Sequence, residues 1–131
     1  MKYLCLICAE KVMEQMTEDD ATAHFAEYTE FTDAIRASGH YLDCNRLLPP
    51  SEAITIRVRN GKIAMTDGPY VETKEQLGGY YLIEARDLNE AIQVAARIPG
   101  AWRGCVEIRP VAEDKQTLNA LGFIDKNPIS R

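Results

Sequence analysis

Long apolar runs are absent from this chain. The longest, Tyr3 to Ala9, falls far short of the roughly 20 residues that a membrane-spanning helix needs. Glu10 and Lys11 follow it at once, so it reads as a buried strand rather than the core of a signal peptide. The protein is therefore expected to stay in the cytosol. Basic clusters are absent too. The net charge is −5 and the pI about 5.0, which argues against nucleic acid or anionic lipid as direct partners. Cysteine is scarce: Cys5, Cys8, Cys44 and Cys105. Cys5 and Cys8 have CxxC spacing, but residues three apart on a strand point to opposite faces, which suits neither a shared metal nor a disulfide. No second CxxC accompanies them, and the two histidines, His24 and His40, are not at ligand spacing. The expectation is four reduced, mostly buried thiols and no metal. Neither GxxxxGKS nor GxGxxG occurs, so no phosphate loop and no cofactor are expected. No serine or cysteine stands in a recognisable motif with a histidine and an acid.

What is present suits one globular domain. The chain has 131 residues, 46 % hydrophobic and 27 % charged, enough for one core. Lys2–Cys8 is apolar on both faces and reads as a strand. Thr17 is a natural N-cap before Glu18, Asp19 and Asp20, opening a helix to about Ala37. Along that helix His24, Tyr28, Phe31 and Ile35 recur at helical spacing. Tyr41–Leu48 is a second strand, closed by Pro49-Pro50. Ile54, Ile56 and Val58 alternate with Thr55, Arg57 and Arg59, the pattern of a half-wet strand. Asn60-Gly61 is the dipeptide of a type I′ hairpin turn, and Lys62–Thr66 returns. Val71–Leu77 reads as a loop or one helical turn, and Gly78-Gly79 leads into a strand over Tyr80–Ala85. Asp87-Leu88-Asn89-Glu90 forms a capping box, opening a helix with a Leu88, Ala91, Ile92, Ala95, Ile98 stripe. Pro99-Gly100 stops it, and Trp102 beyond the break reads as a packing plug. Cys105–Arg109 is a last, alternating strand. The tail after Pro110 has weak helical character around Glu113–Leu121.

The order is β-α-β, a hairpin, then β-α-β. Two such units with right-handed crossovers give a ferredoxin-like antiparallel sheet with both helices on one face. Lys2–Cys8 and Tyr80–Ala85, apolar on both sides, belong in its centre. The face without helices then exposes an apolar strip, and such strips usually mark an interface. A twofold, sheet-to-sheet homodimer is the simplest cover.

The run Asp67-Gly68-Pro69-Tyr70-Val71-Glu72-Thr73-Lys74-Glu75-Gln76-Leu77-Gly78-Gly79-Tyr80-Tyr81-Leu82-Ile83 resembles the signature of the DGPF branch of the YCII-related family, with Tyr70 in place of the usual Phe. Met1-Lys2-Tyr3-Leu4, Thr55-Ile56-Arg57-Val58 and Val106-Glu107-Ile108-Arg109-Pro110-Val111 fit as well. The resemblance covers roughly residues 1–111 as one domain and leaves 112–131 as a tail. It implies an α+β fold that assembles as a dimeric α+β barrel. It also implies a His–Asp pair in the cleft between sheet and helix. Ala23-His24-Phe25 matches the histidine part. Where such relatives carry the acid, this chain reads Arg36-Ala37-Ser38-Gly39, without a carboxylate.

These observations mark His24 and Asp67 as candidate acid–base groups, with Arg57, Glu72 and Tyr80 as candidate ligand contacts. The leading expectation is a cleft-bearing homodimer for a small polar or anionic metabolite, working by cofactor-free acid–base chemistry. Each residue also has a structural reading. His24 is placed to be a satisfied core histidine, Asp67 a turn former before Gly68, and Arg57 a solvated edge. The other functional reading is a non-catalytic sensor or protein-interaction module contacted through the tail, for which the resemblance implies a sigma-factor-type transcription partner.

Overall fold

The computed structural model describes residues 1–10, 16–70 and 75–122. Its first strand is β1, Lys2–Glu10. Helix α1, Glu18–Ala37, follows, with the Thr17 hydroxyl accepting from the Asp20 amide at 3.1 Å. Gly39 ends the helix at φ +82°, a left-handed conformation that costs a glycine nothing. Strand β2 is Tyr41–Arg46, and a short 3₁₀ turn over Pro50–Glu52 leads on. Strands β3, Ile54–Arg59, and β4, Lys62–Asp67, form a hairpin. Asn60 and Gly61 at φ 53° and 75° make the expected type I′ turn. Strand β5, Glu75–Glu84, precedes helices α2, Leu88–Ala95, and α3, Gly100–Arg103. Strand β6, Cys105–Pro110, and helix α4, Lys115–Ala120, complete the described chain.

The main sheet has the antiparallel order β2-β5-β1-β6. This is the ferredoxin-like plan, with the two doubly apolar strands in the centre as the sequence requires. Alternation then sorts the side chains. Tyr3, Cys5 and Ile7 of β1, with Tyr81, Ile83 and Ala85 at the other central strand, are buried. They meet Phe31 and Ile35 of α1, and Ala91, Val94, Ala95 and Ile98 at α2. The intervening Leu4, Leu6, Tyr80 and Leu82 face the other way and are only half-buried. Helix α4 buries none of its residues.

Several sequence expectations shift. Glu75–Leu77, expected as part of a loop or helical turn over Val71–Leu77, is strand, and so is the Gly78-Gly79 lead-in, paired through Glu10↔Glu75 and Ile7↔Gly79. The glycines serve the sheet there. A Cβ on Gly79 would stand 2.8 Å from the Asn45 carbonyl oxygen, so only glycine lets β2 approach. The apolar stripe of α2 is rotated: Leu88 and Ile92 are 49 % and 48 % exposed, while Val94 is buried. The capping box is half formed. Asp87 accepts from the Glu90 amide at 2.9 Å, but Glu90 reaches the Arg86 amide instead. Trp102 is 63 % exposed rather than plugged in. All four cysteines are free; Cys5 is buried but Cys105 is exposed. No helix among the described residues is long and apolar enough to cross a membrane.

Candidate functional site

Helix α1 crosses the sheet so that its N-terminal half leaves a gap, and the gap is a cavity of about 540 Å³. Its walls include His24, Phe25 and Tyr28 of α1, Ile7 of β1, residues 44–50 at the end of β2 and just beyond it, residues 76–81 of β5, and Gly100. The lining is dominated by aliphatic and aromatic carbon, with few polar groups, as in sites for small molecules.

His24 is the decisive polar group. Its Nδ1 is buried and has no hydrogen-bond partner among the described residues. A buried polar atom left unpaired costs free energy and calls for a reason. Burial drives the His24 pKa below its ordinary value; nearby Arg103 pushes the same way, and Glu27 opposes. The imidazole is therefore neutral near pH 7, the form that accepts a proton. Its ring meets Tyr28 edge-on, with centroids 4.9 Å apart. Burial pushes the Tyr28 hydroxyl up to about 12 against a hydrogen bond with the Gly100 backbone, so it stays protonated. Tyr28 in turn stacks on Tyr81 at 6.4 Å. The Thr32 hydroxyl donates to the Tyr28 carbonyl at 2.8 Å, leaving its oxygen to accept from Tyr81 at 2.7 Å.

Glu27 lies one turn from His24 and is gripped by Arg103 in a two-pronged pair of 2.9 and 3.2 Å. That hydrogen bond holds the Glu27 carboxyl below its usual range. At the cavity wall Arg46 stands over the Phe25 ring, 5.5 Å from its centroid. Glu27, Arg103 and Arg46 were not singled out in the sequence, and Tyr28 was read only as a neighbour of His24 on one helix face. The spacing of Glu27 from His24 on one helix was a usable signal. Nothing local marks Arg103, which lies 76 positions from Glu27.

The expected site residues separate. His24 and Tyr80 lie on the cavity, but the Tyr80 hydroxyl is committed elsewhere, donating to Asp43 at 3.2 Å and accepting from Asn45 at 2.9 Å. Asp67 and Arg57 are not brought to the cavity. They lie on the β3–β4 hairpin, which pairs with no strand of the main sheet. Arg57 stands over the Tyr70 ring at 6.0 Å. Asp67 begins a turn held by the Gly68 amide on Ala53 at 2.7 Å and by Thr55 on the Gly68 carbonyl at 2.8 Å. Glu72 lies outside the described residues.

A second constellation forms at the far end of α1. Ser38 Oγ is 2.7 Å from His40 Nδ1, and His40 Nε2 is 2.7 Å from Glu90 Oε1. The order is serine, histidine, acid, but the neighbouring amides are spent: those of Ser38, Gly39 and His40 already donate to Ala34, Arg36 and Ile35. Without free donors there is no oxyanion site. The trio fastens the end of α1 to the start of α2. Among the described residues, no group of three or more His, Cys, Asp and Glu is placed to hold a metal ion.

Among solved structures, 5-chloro-2-hydroxyhydroquinone dehydrochlorinase from Burkholderia phenoliruptrix, in complex with 2,5-dihydroxybenzoquinone, covers 88 % of this chain and 98 % of its own. The identity is 15 % and the TM-score 0.48. An uncharacterised protein of Rhizobium meliloti is 44 % identical over 69 residues, 51 % of this chain. The match spans 56 % of that relative's length. The model of the YCII-related domain matches residues 1–115, and with the sheet order and helix placement described above, the chain belongs to the YCII-related family.

Proposed function

We propose that this protein is a homodimer whose cavity binds a small, compact molecule carrying a polar or anionic group, and that His24 exchanges a proton with it. The observation that carries this reading is the buried Nδ1 of His24, without a hydrogen-bond partner among the described residues, at the wall of a largely carbon-lined cavity. A ligand hydroxyl or acidic C–H within about 3 Å of that nitrogen would satisfy it. The neutral imidazole takes the proton. The charge that then forms on His24 is countered by the Glu27 carboxylate, whose own charge Arg103 holds in place. The Tyr28 hydroxyl, kept protonated, is a donor for an oxygen on the ligand. Arg46 supplies the cation for an anionic end, a role the sequence reading gave to Arg57. The missing helix-end acid is thus replaced by a carboxylate one turn from the histidine.

The dimer reading rests on the sheet. Leu4, Leu6 and Leu82 form a half-buried apolar row on the face opposite the helices. Each Å² of such surface removed from water is worth about 25 cal/mol, and a twofold axis lets two identical rows cover each other.

The test of the site is a thermal-shift screen of small carboxylic acids, phenols and enolisable ketones. A ligand that binds only the native state raises its melting temperature. At least one compound is expected to stabilise the wild type and to lose that effect in His24→Ala, with the ligand-free variant keeping its far-UV circular dichroism. A stabilising compound that works equally well on His24→Ala would place the binding elsewhere and refute the role of this residue.

A further inference from the structure

The β3–β4 hairpin stands apart from the core. Its register sets Ile56 opposite Met65 and Val58 opposite Ile63, with Ile54 on the same side. One face of the arm therefore carries five large aliphatic side chains. They are 64 % (Ile54), 61 % (Ile56), 55 % (Val58), 69 % (Ile63) and 73 % (Met65) exposed. The other face carries Thr55, Arg57, Arg59, Lys62 and Thr66. Among the described residues the buried core joins the helices to the main sheet and includes none of these side chains.

We propose that this arm clasps a second copy of the chain, its aliphatic face lying against the margin of the other subunit's open sheet face. The proposal deepens the dimer reading and rests on it. The hairpin and the open sheet face both favour this occupant. A lone two-stranded hairpin is marginal in water, yet this one has a specified turn at Asn60-Gly61 and a continuous register over six pairs, so it is built to be completed. The same chain offers a second uncovered apolar surface, the row of Leu4, Leu6 and Leu82. In a twofold assembly an arm of each subunit reaches the other, and the contact closes at two copies. That row, already half-buried, is too small for a stable interface of about 800 Å² per partner; the arm brings the missing area.

The test compares wild type with the double variant Ile56→Asp/Met65→Asp by sedimentation equilibrium. These side chains are exposed in the single subunit, so far-UV circular dichroism should not change. The expected result is a micromolar-stable wild-type dimer whose dissociation constant rises at least about tenfold in the variant. A wild-type dimer that the variant leaves equally tight overturns the clasp while the sheet-to-sheet dimer stands; a monomeric wild type overturns both. As a second measurement, p-benzoylphenylalanine replaces Met65 in a mixture of ¹⁴N- and ¹⁵N-labelled protein. Illumination should give heavy–light conjugates to peptides of β1, β2 or β5. Conjugates confined to one chain, or an arm that instead binds phosphatidylserine vesicles while the protein stays monomeric, would overturn it.

Discussion

Gly100 opens α3 where three parts of the protein converge. A Cβ at that position would stand 2.5 Å from the Ile7 Cγ2 and 2.6 Å from the Tyr28 hydroxyl oxygen. Both distances are shorter than side-chain contacts tolerate, so Gly100→Ala must push Ile7 or Tyr28 aside. Overpacking of this kind costs about 1–3 kcal/mol, and two contacts at once place the cost in the upper half of that range. Alanine returns up to about 1 kcal/mol by restricting the unfolded chain and favouring the helix. The net loss is about 1–2 kcal/mol, a fall in melting temperature of about 4–8 °C for a domain of this size. Circular dichroism or calorimetry at neutral pH reads it directly. Tyr28→Phe removes one of the two obstacles, at the expense of the hydroxyl's bond to the Gly100 backbone, about 0.5–1.5 kcal/mol. The double variant should then be more stable than the two separate losses imply, by about 1 kcal/mol. Because Tyr28 lines the cavity, Gly100→Ala should also weaken any ligand found for it. An unchanged or raised melting temperature in Gly100→Ala, or strict additivity with Tyr28→Phe, would refute the close approach and with it this wall of the cavity.

Two further predictions follow from charges the fold holds in place. The Cys105 thiol, exposed but hydrogen-bonded to Glu75 at 2.9 Å, is pushed up to about 11 by that carboxylate. Its alkylation by iodoacetamide should be slow at pH 8 and accelerate through about pH 11, with Glu75→Gln moving the midpoint down; ordinary thiol reactivity at pH 8 would contradict the pairing. The hydrogen bond from His40, followed by that of the Arg86 amide, holds Glu90 below its ordinary pKa of 4.5. A carboxylate depressed in the folded state stabilises it above that ordinary value, and the benefit is lost as pH falls through the depressed pKa. Glu90→Gln should therefore melt below wild type at neutral pH and converge with it under acid conditions. A gap that stays constant with pH would show that the pair does not act through charge.

The placement of the core strands was legible because it depends on short-range patterning. Tyr3, Cys5 and Ile7 alternate with Leu4 and Leu6, and a strand apolar on both sides has only the middle of a sheet to go to. The Asn60-Gly61 turn and the Thr17 cap were equally local, each set by backbone chemistry within four residues. The errors came where two local meanings compete. Glu75-Gln76-Leu77 reads with the loop before it, yet the strand already begins at Glu75, and the missing side chain of Gly79 within it admits the Asn45 carbonyl. The stripe on α2 was read from hydrophobicity alone, and the angle at which the helix meets the sheet chose Val94 over Ile92.

The sequence by itself determined the order of elements, the pairing of apolar faces and the hairpin turn. Those follow from periodicities of two and 3.6 residues and from turn chemistry, which act over a handful of neighbours. The cavity was decided only in three dimensions. It exists because α1, the end of β2, the start of β5 and Gly100 converge on one point, and because Arg103 arrives beside Glu27 from 76 positions away. Tertiary packing also left Asp67 and Arg57 out on an arm, since a hairpin that pairs only with itself brings its side chains to no strand of the core. Proximity between distant segments has no periodicity to read, and that is why the meeting of Arg103 with Glu27 was not visible in the chain.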